Sequence, residues 1–370
     1  MTSRYAPIIA VLGGVLAVVA SVDVWPEAIP TSADVALPTI AIGVFAILLA
    51  VGWFTGRVPN RMAGAFSVIL GLGLMVIGGY GYFHFMLEEI GSILGSVAAI
   101  VGGGLSVIAG VSGWFGIDDA RFRRQAKSAI LMTVVGFGGL IAVIIWSFIL
   151  ATVWLLISGG TLDDMELIAI STISLGLGMG SVAGLYLLGA NRSWSFIDLR
   201  RPTLRDVAWT VGGIVGLFAA LIALGILLEL VQAPSPEHDI VETVREGDPN
   251  ILLYVLIPAS ILVIGPGEEL LFRNIVQKSL YEYFSRAGAI VVASVVFAIA
   301  HIPAYGMAQA GTAVIVVFIL SLLLGAIYAR TENIIVPSLV HGFYNAILFA
   351  TLYLELTMDE LPSMLLPLCL

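Results

Sequence analysis

One cysteine, two lysines and four histidines are all that the 370 residues hold of those types, and charged side chains make up only 11% of them. A single cysteine excludes a disulfide framework and any cysteine cage for zinc or an iron–sulfur cluster. It is Cys369, the penultimate residue, whereas a prenylation box needs the cysteine fourth from the end. Soluble globular proteins carry about 25% charged residues, so a polar coat of the ordinary kind is excluded. A hydrophobic content of 59% excludes disorder. A net charge of −9 argues against a nucleic-acid partner.

What the chain has instead is a series of long apolar runs. A spanning helix needs about 20 mostly apolar residues. Eleven candidates meet this, at roughly 6–22, 35–56, 62–87, 90–117, 129–158, 165–189, 207–230, 251–270, 287–305, 308–329 and 333–354. The fold expected is an all-α, polytopic membrane protein of about eleven transmembrane helices, with the lipid bilayer as its first partner. The longest polar link is Val231–Asn250, so no soluble domain separates the spans.

The loops set the expected orientation. Basic residues cluster at Arg57 and Arg61, at Arg121 to Lys127, at Arg192 to Arg205, and at Arg273, Lys278 and Arg286. The alternate links are acidic: Asp23, Glu27 and Asp34; Glu88 and Glu89; Asp163, Asp164 and Glu166; then Glu237 to Asp248, with Arg245 the exception. The positive-inside rule makes the basic side cytoplasmic. The amino terminus is then inside and the carboxy terminus outside, in a multi-pass protein of the cell membrane. Arg4 with Ala20-Ser21-Val22 makes a poor secretory signal and cleavage site, so the first span reads as retained. Glycines at helix-face spacing, such as Gly176, Gly180 and Gly184, read as helix-packing positions.

Ionisable groups inside a span are costly and usually functional. Most of the chain has almost none. His84 sits near a span end beside Glu88 and Glu89, and His238 lies in the outside link. The last third differs. It holds Gly265-Pro266-Gly267-Glu268-Glu269-Leu270-Leu271-Phe272-Arg273, then Phe297 to Pro303 around His301, then His341-Gly342-Phe343-Tyr344-Asn345.

Helix geometry gives these residues relations. Residues four apart share a face, so Glu269 pairs with Arg273, Phe297 stands beside His301, and His341 beside Asn345. Glu268 points about 100° away from Glu269 and is left unpaired. A helix continuing from Glu268 to the turn near Arg286 places Glu268 about 26 Å from that turn, and His301 about 23 Å from it on the returning helix. The two side chains therefore reach similar depth. The Gly-Pro-Gly before Glu268 is expected to break the incoming helix inside the membrane, and such breaks occur only where they line a cavity or are buried in protein.

This residue set suits water activation. Glu268 takes a proton from water. His301 orients that water or ligates a metal. His341 and Asn345 donate to a developing oxyanion. There is no His-Glu-x-x-His motif, so a zincin site is excluded. Glu268, His301 and His341 still make an open donor set for Zn2+, and on residues alone both mechanisms stand. There is no Gly-x-Ser-x-Gly motif.

Glu-Glu-x-x-x-Arg, Phe-x-x-x-His and His-x-x-x-Asn, in this order on successive apolar segments, resemble the CPBP family, the CAAX prenyl endoprotease and bacteriocin-processing (Abi) group. The resemblance covers about Leu253 to Leu352. It implies an intramembrane endopeptidase of the CPBP (metallo)endopeptidase type, in which Glu268 activates water, His301 assists, and His341 and Asn345 stabilise the oxyanion. Glu269 and Arg273 match the supporting residues of the first motif. The implied substrate is a peptide or a membrane-protein tail. The organisation expected is an amino-terminal multi-span extension over 1–205, a protease core over 206–356 and a short tail over 357–370. Two other classes are open at this stage. One is a catalytically silent scaffold or immunity factor. The other is a secondary transporter with its binding site at the broken helix.

Overall fold

The computed structural model describes residues 4–23, 30–85, 90–233, 235–236, 238–305 and 310–358, with side chains left aside at 19–23, 30–38, 76–85, 90–98 and 310. Glu27, Glu88, Glu89, Glu237 and Cys369 lie outside the described residues, as do the side chains of Asp23, Asp34 and His84. The described residues are helical throughout. They form no strand beyond one isolated antiparallel bridge between His238 and Tyr305.

The chain divides into two compact units, Met1–Lys127 and Ser128–Leu370. The first contains α1 (Tyr5–Asp23), α2 (Pro30–Phe54), α3 (Asn60–Phe85) and α4 (Ile90–Trp114). Small residues bring these helices together. A Cβ built on Gly13 would stand 2.5 Å from the carbonyl oxygen of Gly102, and one on Gly71 would stand 2.5 Å from that of Gly103. In lipid, where burying apolar surface between helices gains little, such close backbone approach is a main source of helix association.

The division falls within α5 (Asp119–Ser158). The second unit continues through α6 (Asp164–Gly189), α7 (Leu204–Leu230), the short α8 (Asp239–Glu246), α9 (Leu252–Leu280), α10 (Arg286–Ala300), α11 (Ala310–Thr331) and α12 (Ile335–Thr357). Local chemistry starts several of them. Asp163 with Glu166, and Thr203 with Asp206, form reciprocal capping boxes. Ser285 caps α10 through the amide of Gly288. Pro303 disfavours helical backbone before it, and α10 ends at Ala300 with His301 as its cap.

Among the described residues, seven helices are long and apolar enough to cross a membrane: α5, α6, α7, α9, α10, α11 and α12. Their outer faces carry large exposed apolar side chains such as Phe148, Leu156 and Leu188, as lipid-facing helices do. The protein is a multi-pass membrane protein. The described structure accounts for seven of the eleven expected spans. Of α1 to α4, which run 19, 25, 26 and 25 residues, the portions with described side chains are the apolar stretches Tyr5–Val18, Thr39–Phe54, Asn60–Met75 and Ala99–Trp114.

Helix α9 departs from expectation in another way. It is not broken at Gly265-Pro266-Gly267; helical backbone runs through these residues. Three widened π-helical stretches interrupt the α-helical pattern, at Leu252–Leu256, Ser260–Ile264 and Leu270–Gln277. The first two each end two residues before a proline, Pro258 and Pro266. Proline lacks an N–H and its ring crowds the carbonyl four residues back. Widening the turn relieves that clash without breaking the helix. The amide of Gly265 accordingly reaches back five residues to the carbonyl of Ser260.

Leu271, Phe272 and Ile275 of α9 pack on Met179, Ala183 and Leu187 of α6 and on Val296 and Phe297 of α10. A second cluster joins Leu217, Leu221, Leu224 and Leu228 of α7 to α11 and α12. Of the expected packing glycines on α6, Gly176 is in close contact, with a Cβ there 2.7 Å from Val263; Gly180 and Gly184 face open space. A buried polar set holds the far end of α9. Asn274 donates to the Tyr328 hydroxyl (2.9 Å), Tyr328 donates to Asp198 (2.6 Å), and Lys278 pairs with Asp198 (2.7 Å).

Candidate active site

The second unit contains a partly open cavity of about 600 Å³. Its walls are mostly leucines and other apolar side chains of α5, α6, α7, α11 and α12. Its polar lining includes Glu268, His301, His341 and Asn345. The structure thus brings residues from three separate helices to one place.

Two glycines make the approach of α9 and α12 possible. A Cβ on Gly265 would stand 2.5 Å from the Ser338 carbonyl oxygen, and one on Gly342 would stand 2.6 Å from the Ser260 carbonyl oxygen. Real side chains never come so near, so the two backbones touch at these residues. That contact sets Glu268 and Glu269 of α9 against His341 of α12.

Glu269 lies at the centre of the buried network. Its Oε2 accepts from Arg273 Nε at 2.9 Å, and both side chains have 0% exposure. Its Oε1 lies 3.0 Å from His341 Nδ1. Arg273 also donates through Nη1 to Ser321 Oγ of α11 at 3.0 Å, and its guanidinium lies 4.7 Å from the Phe297 ring centre. The sequence assigned Glu269 to Arg273 alone; the contact with His341 comes from a helix more than 70 residues away in the chain.

Glu268 faces the other way. It is 7% exposed, and its Oε2 has no hydrogen-bond partner. The nearest basic atoms are His301 Nε2 at 3.6 Å and His341 Nε2 at 3.9 Å. Both distances exceed a hydrogen bond. The opposite edge of each imidazole is engaged. His301 Nδ1 lies 2.8 Å from the Phe297 carbonyl oxygen, and His341 Nδ1 lies against Glu269. A carbonyl oxygen only accepts, so His301 Nδ1 carries its hydrogen, and the Nε2 of each ring is turned toward Glu268. Asn345, one turn beyond His341, lines the same cavity and is half-buried.

Two residues outside the motifs also reach this space. His238, in the link between α7 and α8, lines the cavity, with its ring 5.2 Å edge-on to Tyr305. Its Nδ1 accepts from the Ile240 amide. Burial pushes its pKa down to about 4, with the nearby His301 adding to the effect. Ser321 was equally unannounced, since a lone serine in an apolar helix carries no sequence signal.

The donor set for a metal can be tested on these distances. Ligands on a tetrahedral zinc with bonds near 2.0–2.2 Å stand roughly 3.4 Å apart. The nitrogens of His301 and His341 lie 3.6 and 3.9 Å from the Glu268 oxygen. The His301 nitrogen thus stands at about that spacing from Glu268, and the His341 nitrogen a few tenths of an ångström beyond it. Among the described residues no group of three or more His, Cys, Asp or Glu is spaced to hold a metal ion. The transporter alternative loses its footing, because it rested on a broken helix and α9 is continuous.

Residues 250–347 match the family described as type II CAAX prenyl endopeptidase, Rce1-like. The segment is similar to that family over about a quarter of the chain. It contains all three motifs and every side chain that converges on Glu268, and it agrees with the CPBP resemblance of the sequence. No curated protein and no solved structure matches the chain. The matched segment begins just before α9 and ends within α12, so the walls that α5, α6 and α7 add to the cavity come from outside it.

Proposed function

We propose that the protein is an intramembrane endopeptidase that hydrolyses a peptide bond with a water activated by Glu268. The observation that carries this reading is the buried, unbonded Oε2 of Glu268, facing two imidazoles across a cavity large enough for a peptide segment. The similarity of residues 250–347 to an endopeptidase family supports the same reading.

The chemistry follows from the positions. A water seated off the line between Glu268 Oε2 and His301 Nε2 can bond to both, since each would lie about 2.8 Å from it. Glu268 takes one proton as the water oxygen attacks the carbonyl carbon. His301, its ring held by the Phe297 carbonyl, orients that water. Negative charge then develops on the substrate oxygen. Asn345 and His341, one turn apart on α12, supply donors to it. The mostly apolar walls lower the local dielectric, which strengthens each of these interactions. Arg273 and Glu269 hold the frame.

The substrate class is a peptide or membrane-protein tail that enters from the bilayer, with a prenylated CAAX tail the first to test. Within residues 1–205, α5 and α6 supply part of the cavity wall, and the helices before them dock a substrate or partner, shield the core or serve an unrelated role. The deciding experiment incubates purified protein in detergent or nanodiscs with an internally quenched prenylated CAAX peptide, with and without a chelator. Cleavage by the native protein that persists in chelator and is absent in Glu268→Gln is the expected result. Full cleavage by Glu268→Gln would remove Glu268 from the role of base. Folded, stable protein that cleaves nothing would favour the scaffold reading.

A further inference from the structure

Six spanning helices of the second unit are joined in pairs on one face. The links are 190–203 between α6 and α7, 281–285 between α9 and α10, and 332–334 between α11 and α12. Side chains tie the three links together. Arg192 pairs with Glu282, Arg286 pairs with Glu332, and Arg200 donates to the Thr331 carbonyl oxygen at 2.8 Å. Short links between span ends lie at the level of the lipid headgroups.

Charge on this face does not balance. Each of its four acids already holds a base: Glu282 and Glu332 as above, Asp206 with Arg200 at 2.7 Å, and Asp198 with Lys278 at 2.7 Å. Arg201, Arg205 and Arg330 are left over. All three are exposed, and none enters an ion pair among the described residues. Arg201 and Arg205 also stand among large apolar side chains that the protein leaves uncovered. Trp194 is 72% exposed, Leu199 68% and Leu204 91%. At the end of a span, tryptophan and leucine beside unpaired arginine match the bilayer boundary, where phosphate lies above the first acyl carbons. The guanidinium fork fits phosphate oxygens two at a time. A headgroup with its acyl chains answers both features at once.

We propose that the link between α6 and α7 binds an anionic phospholipid, with Arg201 and Arg205 on its phosphate and Trp194, Leu199 and Leu204 against its acyl chains. This site is separate from the cavity and does not depend on the endopeptidase reading. It is tied to α9 all the same. The Phe196 carbonyl oxygen accepts from Lys278 Nζ at 2.6 Å, and Phe196 and Ile197 pack on the cluster that holds Leu271 and Phe272. Asp198 takes both Lys278 and the Tyr328 hydroxyl. Lipid that holds the link therefore steadies α9, and binding to the folded state raises the melting temperature.

The test titrates the full chain in neutral detergent with phosphatidylglycerol or phosphatidylcholine. Bound lipid is counted by native mass spectrometry, and thermal melts are read in parallel. Phosphatidylglycerol should bind more tightly and raise the melt further than phosphatidylcholine. Arg201→Gln with Arg205→Gln should weaken phosphatidylglycerol binding about 30-fold, at about fivefold for each arginine near a membrane surface. The lipid-free melt should not change, because neither side chain has an ion-pair partner to lose. Lysine at both positions should restore most of the binding. Trp194→Gln with Leu204→Gln should weaken it as well, and glycerol phosphate, the headgroup without acyl chains, should leave the melt where it was. Arg57→Gln with Arg61→Gln removes the same charge from another exposed basic link and should leave binding nearly unchanged. Equal weakening by the two arginine pairs would show diffuse attraction to a basic surface and overturn the site. Equal binding of the two lipids would overturn it too. An octaglutamate peptide that raised the melt as far as phosphatidylglycerol would overturn it in favour of an acidic peptide partner.

Discussion

Gly265 of α9 lies so close to α12 that a Cβ on it would stand 2.8 Å from the amide nitrogen of Gly342. The contact is what places two adjacent glutamates against His341. Gly265→Ala must push the helices apart or strain the backbone, and overpacking of this kind costs about 1–3 kcal/mol. The variant should melt several degrees lower in detergent. It should also lose turnover out of proportion to its folded fraction, because Glu269 and His341 no longer meet. Thermal melts read beside rates per folded molecule check both parts. An unchanged melt would mean that α12 yields without effort.

Glu268→Gln separates chemistry from structure. The Oε2 of Glu268 makes no hydrogen bond that the amide would lose. Folding yield and melting temperature should match or exceed those of the native protein. Cleavage should fall about 10²–10⁴-fold, the range for loss of a general base.

In the proposed reaction Asn345 acts through its amide alone. It is half-buried at the cavity wall, so Asn345→Ala should fold normally. Turnover should drop about 10²–10³-fold with little change in KM, as for removal of one oxyanion donor. A rise in KM with an unchanged kcat would place Asn345 in substrate binding instead.

His238 makes stability depend on pH. Its folded pKa, about 4, lies below its ordinary value of 6.5. Between these values the unfolded chain binds the proton and the folded protein does not. The stabilisation is therefore fully present above about pH 6.5, falls as pH drops from there, and is lost by about pH 4. Melting temperatures across pH 4–7 should show this slope, and His238→Gln should flatten it. An identical slope in the variant would assign it to other groups.

Orientation can be read with a fused reporter. Arg245 and the buried Arg273 of α9 aside, the other fourteen of the sixteen basic residues fall on the side assigned to the cytoplasm, and the positive-inside rule then places the carboxy terminus outside. Arg245 pairs with Glu355 at 3.5 Å, so its charge is partly offset locally. A reporter joined after Leu370 should be exported. A cytoplasmic signal would require an even number of spans.

Composition alone determined the all-helical membrane architecture, because a bilayer admits only segments whose backbone bonds are satisfied internally, and apolar runs of helix length announce them. Contacts within one helix were equally legible. Glu269 reaches Arg273, and His301 stands against Phe297, because a spacing of four fixes a shared face. The matching depth of Glu268 and His301 on two antiparallel helices was legible from helix length, and the tertiary structure decided the other contacts between helices. Only packing at Gly265 and Gly342 brings Glu269 to His341. The continuity of α9 was also beyond the sequence. Gly-Pro-Gly reads as a break by local propensity, whereas the widened turns before each proline keep the helix whole. His238 and Ser321 entered the site by the same route. Neither sits in a motif, and their place at the cavity is set by how the helices and links fold over it, which residue spacing does not encode.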